Sequence, residues 1–280
     1  MKKLLLSLGL MIFSFTSVIA EQFPITADLL FEAALGRLDD YQVVHKFGNN
    51  ATVGSTMEDI WSLGSTTTFG TTTFTVEVIS DDADDIYNGT GAQKVIISGL
   101  GSDWAALSQE IATSGTTVSL ATTLGFYRVF RAYVSEAGTY STTMQGGNEG
   151  TLTIRKSGAG ENQAEIPVAS GTGQGQTQMA KYTVPADWTA WVYSIVAQVD
   201  GTKGANIYFW QRQDADQVTA PFTSRRIVVE FPAVIGRASL GPVTPIGPFP
   251  EKTDIWFSAI RSGAQDSGVT IDYEMLLIRN

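Results

Sequence analysis

The sequence predicts an all-β protein with two β-sandwich or jelly-roll-like domains in tandem, preceded by a short helical N-terminal arm and an apolar leader. Between Gly171 and Val199, two runs rich in β-branched and aromatic residues are separated by a turn at Pro185. From Val269 to Leu277, apolar and polar residues alternate, as in a strand with one buried face. The chain also has 28 glycines and 10% aromatic residues, which suits strands joined by many turns.

Composition narrows the classes of function. The 280 residues include 28 acidic and 18 basic side chains, and the formal charge is −10. Nucleic-acid binding needs a concentrated positive surface, so no nucleic-acid partner is expected; the basic residues are scattered, and Arg225 and Arg226 are the one adjacent pair of arginines. Cysteine is absent and His45 is the one histidine, which excludes thiolate chemistry and cysteine-based zinc sites. We expect a non-enzymatic protein without a cofactor or metal, although carboxylate, lysine or tyrosine chemistry stays open.

Residues 1–20, MKKLLLSLGLMIFSFTSVIA, have the layout of a secretory signal peptide. Two lysines precede an apolar run, and small residues precede Glu21, where cleavage would occur. The apolar run is too short for a comfortable membrane span. The alternative is an apolar segment that is retained in an assembly.

Residues 21–42 are predicted to form an N-terminal arm with a short helix. Thr26 can cap the helix, Asp28 favours the positive end of its dipole, and Gly36 ends it. The apolar stripe of this helix consists of Leu29, Leu30, Ala33 and Ala34. A helix of one or two turns is marginal alone, so it has to dock on its own domain or on a neighbouring subunit.

The first β-domain is predicted over residues 43–160. His45 and Phe47 share one face of a short strand, and the chain is expected to turn at Gly48, Asn49 and Asn50. Further strands are expected at Phe74–Ile79, Lys94–Ser98, Phe126–Val134 and Leu152–Ile154. The third of these has apolar residues on both faces, which predicts a central strand that is covered on each side.

An acidic loop between two of these strands contains Asp81, Asp82, Asp84 and Asp85. Several oxygen ligands close together suit a hard cation such as calcium, so this loop could bind one. It lacks the alternating D-x-D-x-D-G spacing, and we interpret it as a solvated acidic turn. We interpret His45 as a hydrogen-bonded structural residue, because no second histidine exists to share a metal site.

The second domain is predicted over residues 161–280, after a boundary near residue 160 marked by glycine, serine and glutamine. It is expected to open with a β-hairpin that turns at Pro185. The second strand of this hairpin is expected to share one apolar face among Trp191, Tyr193, Ile195, Ala197 and Val199. The remaining expected elements are strands at Ile207–Trp210, Ile227–Phe231, Ile255–Ile260 and Val269–Leu277, and a proline-rich connection or edge segment at Pro232–Pro250. The last strand places the end of this sequence inside a sheet.

The run GTGQGQTQ, which begins at Gly171, does not predict a phosphate-binding loop. It has no Lys-Ser/Thr pair and precedes a strand rather than a helix. The glycines are therefore interpreted as turn residues.

Six stretches carry a family resemblance. They are DLLFEAALGRLDDYQVVHKFGNN (28–50), MEDIW (57–61), TGAQKVIISGL (90–100), GFYRVFRAYV (125–134), GQTQMAKYTVPADWTAW (175–191) and PEKTDIWFSA (250–259). In this order and at this spacing they resemble a group of β-rich virion structural proteins of tailed bacteriophages, many of them marine. The resemblance covers nearly everything after residue 25.

The resemblance implies a component of the virion that has no catalytic role. A capsid-surface or decoration protein, a head fibre and a tail-associated protein are the forms it suggests. Such a protein would assemble as a homo-oligomer, of which a trimer is one form, and would contact other capsid or tail proteins. The resemblance implies no catalytic residues in this chain.

An exported bacterial surface or adhesin-type protein is the alternative function. A cleaved leader would place it outside the cell or at the cell surface, and tryptophans could bind a host-surface glycan or another cell-surface ligand. Trp104 and Trp188 lie in turn contexts and are expected to be exposed, whereas Trp191 is expected in the core.

A third hypothesis is a glycosidase with paired carboxylates. Such an enzyme needs two acids in one cleft, about 5–10 Å apart. The candidates on or beside strands are Glu230, Asp254, Asp272 and Glu274. Asp272 and Glu274 share a strand face and are more simply the solvent side of a sheet.

Overall fold

The computed structural model describes residues 27–139, 147–169, 172–240 and 244–280, and they are nearly all β. The predicted leader, residues 1–20, and Thr26 lie outside the described residues. Helix α1 spans Ala27–Ala34, and the strands follow it in chain order. They are β1 (Tyr41–Val53), β2 (Glu58–Asp59), β3 (Val76–Ser80), β4 (Ala92–Leu100), β5 (Ala106–Ala112), β6 (Arg128–Ala137), β7 (Leu152–Lys156), β8 (Asn162–Ile166), β9 (Val168–Ala169), β10 (Thr172–Gly173), β11 (Lys181–Thr183), β12 (Trp188–Val199), β13 (Ala205–Arg212), β14 (Arg226–Val234), β15 (Gly236–Leu240), β16 (Ile246–Phe249), β17 (Asp254–Arg261) and β18 (Ser267–Arg279). The all-β class and the short N-terminal helix are therefore confirmed.

Helix α1 ends where the sequence predicts. The Gly36 amide donates to the carbonyl of Ala33 at 3.0 Å, and Gly36 has a φ of +67°, which glycine adopts without steric cost. The helix contacts β1 and its Ala33 is buried, whereas Phe31 and Leu35 are 60% and 47% exposed. The helix therefore packs through a small residue, while Phe31 within it and Leu35 directly after it stay uncovered.

Two five-stranded antiparallel sheets form the main sandwich. The β18 sheet has the order β1-β18-β12-β15, with β16 also paired to β12, and the β17 sheet has the order β11-β17-β13-β14, with β2 paired to β17. Phe257 of the β17 sheet stacks on Phe209 at 4.5 Å and contacts Tyr273 of β18 at 5.1 Å, so one apolar core joins the sheets. The predicted alternation in β18 is confirmed, because its buried residues are Val269, Ile271, Tyr273, Met275 and Leu277.

A second, smaller sandwich is inserted between β2 and β11. Its sheets have the orders β3-β7-β8 and β5-β4-β6, and they share a core that includes Val78, Ile97, Leu152, Ile154 and Ile166. The strands before and after this inserted sandwich, β2 and β11, both pair with β17. The chain therefore leaves and re-enters the main sandwich at neighbouring positions.

The pairing of β1 bears on the domain organisation. β1 pairs with β18 from Tyr41 opposite Ile278 to Val53 opposite Ser267. Hydrogen bonds of one sheet thus join strands from both sides of residue 160. The predicted division into residues 43–160 and 161–280 stays a prediction.

Strand β6 lies between the two cores. It is an edge strand of the β5-β4-β6 sheet, so the prediction of a central strand is wrong. Val129 faces the inserted core, while Phe130 on the other face contacts Tyr182 of the main sandwich at a centroid distance of 5.0 Å. Both faces are apolar because each covers a different sandwich.

β11 and β12 do not form the hairpin that the sequence predicts. β11 pairs with β17, whereas β12 pairs with β18, β15 and β16 in the opposite sheet. The amide of Val184 donates to the carbonyl of Thr253 at 3.0 Å, so the chain stays with the β17 sheet until it reaches Pro185 and then crosses over. A turn between two strands does not require that the strands pair with each other.

A β-bulge changes the face that β12 presents to the core. The register with β18 shifts between Val192 and Ser194, so Tyr193 is an extra residue. The predicted core residues after the bulge are buried, namely Ile195, Ala197 and Val199. Trp191 and Tyr193 are only half-buried and lie on the opposite face, so the prediction of one shared face is wrong.

Gly48, Asn49 and Asn50 do not turn the chain, because β1 continues to Val53. A Cβ atom at Gly48 would overlap the carbonyl oxygen of Ile60 and lie 2.7 Å from Cβ of Ala180. Close packing, rather than a turn, therefore explains this glycine.

Two further strand pairings concern the proline-rich segment and the strand β8. The proline-rich edge segment is confirmed, since β15 and β16, within Pro232–Pro250, pair with β12 at the edge of the β18 sheet. β8 was not predicted, and it pairs with β7 close to the glycines that mark the expected boundary.

Candidate functional site

A buried ion pair joins the two sandwiches. Arg128 of β6 donates from Nε and Nη2 to the two carboxylate oxygens of Asp254 on β17, at 2.9 and 3.0 Å. Its Nη1 donates to the carbonyls of Gly70 and Tyr127 at 2.7 and 2.9 Å, and Thr183 donates its hydroxyl to Asp254 Oδ1 at 2.6 Å. Asp254 is fully buried and Arg128 is buried. Because the charged groups of Arg128 and Asp254 are hydrogen-bonded, the ion pair determines the relative position of the two sandwiches.

Aromatic rings enclose the Arg128 guanidinium. Its Cζ lies 5.1 Å from the ring centroid of Phe69 and 5.2 Å from that of Trp104. Trp104 stacks on Tyr127 at 4.7 Å and is only 6% exposed. The prediction that Trp104 is exposed is therefore wrong, because its ring packs over the arginine at the junction.

Two lysines are buried at the same junction. Lys181 Nζ lies 4.0 Å from the ring centroid of Trp61, and Lys46 Nζ donates to the carbonyl of Phe130. Burial lowers the pKa of Lys181 to about 7, with Arg128 acting in the same direction. Burial also lowers the pKa of Lys46 to about 7, together with the positive charges of Arg131 and Lys181.

The junction has no room for a substrate. Its cavity, lined by Arg128, Lys181 and Thr183 among others, has a volume of about 10 Å³. A cavity of this size holds about one water molecule. A lysine with a pKa near 7 can act as a base or nucleophile only where a substrate reaches it. The lowered pKa of Lys181 is therefore explained by burial at a structural contact, whereas Lys46, although buried, borders a separate surface cleft of about 340 Å³.

A larger cleft lies beside the junction, on the outer face of the β17 sheet, with a volume of about 300 Å³. Ile255 and Phe257 of β17 point into the core, so Trp256 and Ser258 point outward to the cleft. Phe69 forms an adjoining wall and meets Trp256 edge-on at 5.2 Å. We call this the aromatic cleft; its walls also include Met57, Asp59, Thr67, Arg212 and Arg225.

Two guanidinium groups border the aromatic cleft. Arg225 is exposed, stacks over Trp210 at 4.6 Å and donates no hydrogen bond to any described residue. Arg212 donates from Nε to the carbonyl of Thr223 at 3.3 Å. Neither arginine forms an ion pair within the described ranges 27–139, 147–169, 172–240 and 244–280. Neither guanidinium is therefore ion-paired, although the carboxylate of Asp59 lines the same cleft.

The floor of the aromatic cleft is polar. Asp59 accepts hydrogen bonds from the hydroxyl of Ser258 at 2.6 Å and from the amide of Thr67 at 2.5 Å. The hydroxyl of Thr67 and the indole Nε1 of Trp210, which stacks on Trp256 at 6.3 Å, are buried without a partner in the described part of the chain. Buried polar groups usually have a hydrogen-bond partner, so both positions are unusual.

The carboxylates considered for a glycosidase do not meet in one cleft. Asp254 is committed to Arg128, and Glu230 is exposed on β14. Asp272 accepts a 2.5 Å hydrogen bond from Nε2 of His45, and both side chains are about half exposed, at 52% and 51%. Glu274 lies on the same outer face of the β18 sheet. Asp272 and Glu274 thus form the solvent side of a sheet, as interpreted from the sequence.

The acidic loop contains one buried and several accessible carboxylates. Asp85 is fully buried and accepts four hydrogen bonds, from Ser80, Ala92, Glu149 and Gly150, at 2.6–2.9 Å. Asp81 accepts from the amide of Thr151 at 2.7 Å. Asp82, Asp84 and Glu149 each offer an oxygen within 4.8 Å of the others. Asp85 is a structural residue, which the acidic run alone does not distinguish from its neighbours.

Most of the large apolar side chains that are exposed in the described residues lie in loops, and Phe31 is the one within helix α1. Leu120, in a loop of the inserted sandwich, is 89% exposed, and Val218 in the β13–β14 loop is 59% exposed. Trp188 is half-buried beneath Arg279, whose Cζ lies 5.0 Å from its ring. Across the part of the chain that is described, we find no helix with the length and apolar character needed to cross a membrane.

The sequence pattern did not reveal the aromatic cleft. Its residues come from segments far apart in the chain, such as Phe69, Arg225 and Trp256, and only the fold brings them together. The adjacent arginines at 225 and 226 were the one signal, and they separate in the structure. Arg226 donates to Gln213 at 3.2 Å, whereas Arg225 borders the cleft.

Comparisons with known proteins find no matching protein-family model and no similar curated protein. Among solved structures, the infectious bursal disease virus Gt strain aligns at 8% identity and a TM-score of 0.22, over 86% of this chain and 73% of that chain. The VP2 subviral particle of the same virus aligns at 8% identity and a TM-score of 0.21, also over 86% and 73%. The Gx strain aligns at 8% identity and a TM-score of 0.19, over 85% and 76%. Similarities at this level carry no argument about function.

Proposed function

We propose that this protein is a non-enzymatic virion structural protein of a tailed bacteriophage. It would be a capsid-surface or decoration protein, a head fibre or a tail-associated component. It would assemble as a homo-oligomer, such as a trimer, in contact with other capsid or tail proteins. The proposal rests on the ordered sequence resemblance together with the place of the resembling stretches in the fold.

Five of the six resembling stretches contribute a charged residue to the junction of the two sandwiches. These residues are Lys46, Asp59, Arg128, Lys181 and Asp254. The shared stretches therefore lie where the sandwiches are held together, and two of them, 57–61 and 250–259, also line the aromatic cleft through Asp59 and Trp256. This placement is what a rigid building block of a particle requires, and it is the observation that carries the proposal.

Helix α1 supports assembly with a second copy. Phe31 in α1 is 60% exposed and Leu35, directly after the helix, is 47% exposed; a helix of eight residues is too short to be stable without packing. A neighbouring copy that covers these side chains would stabilise both the helix and the oligomer.

The direct test is mass spectrometry of gradient-purified particles whose genome encodes this chain. We expect its peptides in the particles at a stoichiometric ratio to the major capsid or tail proteins. Absence from particles that carry the gene would reject the virion role. The same experiment identifies the N-terminal peptide: a start near Met1 in particles supports the virion role.

Oligomerisation is tested by sedimentation velocity of the full chain. We expect an oligomer that Phe31→Ser with Leu35→Ser converts to a smaller species, because the substitutions remove apolar area from the interface. Val218→Ser, at an exposed apolar residue away from α1, is the matched control and should leave the mass unchanged. A wild-type monomer at micromolar concentration would contradict the proposed assembly.

A second candidate is an exported surface or adhesin-type protein, and the aromatic cleft is the observation that favours it. Aromatic walls and unpaired polar groups suit the recognition of a glycan. A mature peptide that starts at Glu21, found outside particles, would support this candidate over the virion role.

A further inference from the structure

We propose that the aromatic cleft binds a sugar that carries a carboxylate, such as a uronic or sialic acid at the end of a glycan. The site consists of the indole of Trp256, the ring of Phe69 and the guanidinium groups of Arg212 and Arg225. This assignment does not depend on the virion role, since it rests on the cleft alone.

The size and walls of the cleft suit a sugar ring. Its volume of about 300 Å³ is at the lower end of the range of small-molecule sites, which runs from about 300 to 1,000 Å³. Half-buried Phe69 meets Trp256 edge-on at 5.2 Å and supplies the more accessible aromatic surface, since Trp256 is only 5% exposed. The apolar face of a pyranose packs against such surfaces, while its hydroxyl groups stay free for hydrogen bonds.

The two arginines at the cleft favour an acidic ligand. The chain as a whole has a formal charge of −10, yet Arg212 and Arg225 border the cleft without a carboxylate partner in the described residues. Arg225 makes no hydrogen bond to a described residue and keeps its five donors available. A guanidinium binds a carboxylate through two parallel hydrogen bonds, which a sugar acid supplies.

The cleft floor supplies partners for hydroxyl groups. Asp59 already accepts one hydrogen bond on each oxygen, and each oxygen retains a further lone pair. Its negative charge disfavours a densely charged ligand such as phosphate close to the floor, but it accepts well from a sugar hydroxyl. Thr67 lines the cleft, and its hydroxyl, which is buried without a partner among the described residues, becomes available to a ligand when the side chain rotates.

A glycan array tests the ligand class with the full chain. The array carries uronic-acid- and sialic-acid-terminated oligosaccharides together with their methyl esters and their neutral counterparts. We expect binding to acids that is at least about tenfold tighter than to the corresponding esters, because the esters lose a charge-assisted contact. Binding to acids should also weaken as salt concentration rises.

Matched arginine variants test the site by isothermal titration calorimetry with the best acidic oligosaccharide. Arg225→Gln should weaken binding by about tenfold or more, and Arg225→Lys should fall between it and the wild type. Arg237→Gln removes the same charge from an exposed position on β15, outside the cleft, and should leave affinity unchanged. Arg225 donates no hydrogen bond to a described residue, so its variants should fold. Arg212→Gln provides an independent variant of the same site.

Several outcomes would overturn the assignment. Equal binding of acids and esters would show that the carboxylate is not recognised. Equal losses in Arg225→Gln and Arg237→Gln would indicate a general charge effect. Silence across all acidic members of the array, or binding confined to neutral glycans or inorganic phosphate, would also reject it.

Discussion

Arg128 and Asp254 form a two-pronged ion pair that joins the inserted sandwich to the main sandwich, with N–O distances of 2.9 and 3.0 Å. Both residues are buried, so the pair contributes little to stability compared with well-packed apolar side chains of similar volume. Loss of one partner is different, since it leaves the other as an isolated buried charge. The pair therefore determines the relative position of the sandwiches more than their stability.

Substitution of one member of this pair should be strongly destabilising. We expect Arg128→Met to lower the free energy of unfolding by about 3–5 kcal/mol, measured by urea denaturation, because Asp254 stays charged and buried. The double variant Arg128→Met with Asp254→Leu should regain most of this loss. Arg261→Met, at an exposed ion pair with Asp266, is the control and should cost no more than about 1 kcal/mol. A double variant as unstable as Arg128→Met would contradict this account.

Asp85 should matter far more than its neighbours in the acidic loop. Asp85→Asn keeps the shape of the side chain but replaces one oxygen by an NH2 group. Oδ1 accepts from the amides of Ala92 and Glu149, and Oδ2 accepts from Ser80 and Gly150, so either replacement leaves at least one backbone amide without its acceptor. We expect a loss of about 2–4 kcal/mol in the free energy of unfolding, against less than about 0.5 kcal/mol for exposed Asp84→Asn. Chemical denaturation of the two variants in parallel measures this difference, and equal stability would show that the four contacts are not decisive.

The burial of Lys46 should make stability depend on pH. In the folded protein its pKa is about 7, below the value of 10.5 for the unfolded chain. Between these values the unfolded state binds more protons, so stability rises with pH, by up to about 1.4 kcal/mol per pH unit for this group. Below pH 7 both states are protonated and the cost of burial is present in full. The positive groups that face Lys46 are Arg131 and Lys181.

Lys46→Met isolates this contribution. The variant should be more stable than the wild type near pH 7. Its advantage should shrink as pH rises toward 10, because folded Lys46 is already neutral above pH 7 and proton binding stabilises the unfolded chain less and less as pH approaches 10.5. Urea midpoints at several pH values provide the measurement. A difference between the two proteins that stays constant from pH 6 to pH 10 would show that Lys46 has an ordinary pKa.

Gly48 should tolerate no side chain, although it lies in a strand. A Cβ atom there would overlap the backbone of Ile60 and Ala180, so Gly48→Ala must displace the chain. We expect a loss of about 1–3 kcal/mol or more, measured by thermal and urea unfolding. Gly201→Ala has nothing within 4 Å of the new atom and serves as the control. Similar stability of both variants would indicate that β1 can shift away from the β17 sheet.

The sequence predicted those parts of the fold that depend on local pattern. The alternation in β18, the end of α1 at Gly36 and the proline-rich edge all follow from the preferences of individual residues. The hairpin at Pro185 and the turn at Gly48 were wrong because they depend on which distant strand provides the hydrogen bonds.

The candidate sites were less accessible from the sequence. Trp191 was placed in the core because a period of two cannot anticipate the bulge at Tyr193. Trp104 was predicted to be exposed because the sequence shows only that it lies in a turn. Its contact with Arg128, which is distant in sequence, buries it. The aromatic cleft depends on Phe69 and Trp256, which are brought together by the pairing of β2 with β17.

The pairing of β1 with β18 has a consequence for the order of events on the ribosome. His45 and Asp272 are 227 residues apart, so β1 emerges long before the strand it needs as its neighbour. The strands of the inserted sandwich all lie between Val76 and Ile166, and it can form while synthesis continues. We therefore expect the inserted sandwich to fold during translation while the main sandwich is still incomplete. Chaperones must shield the unpaired strands of the main sandwich until β18 has been made.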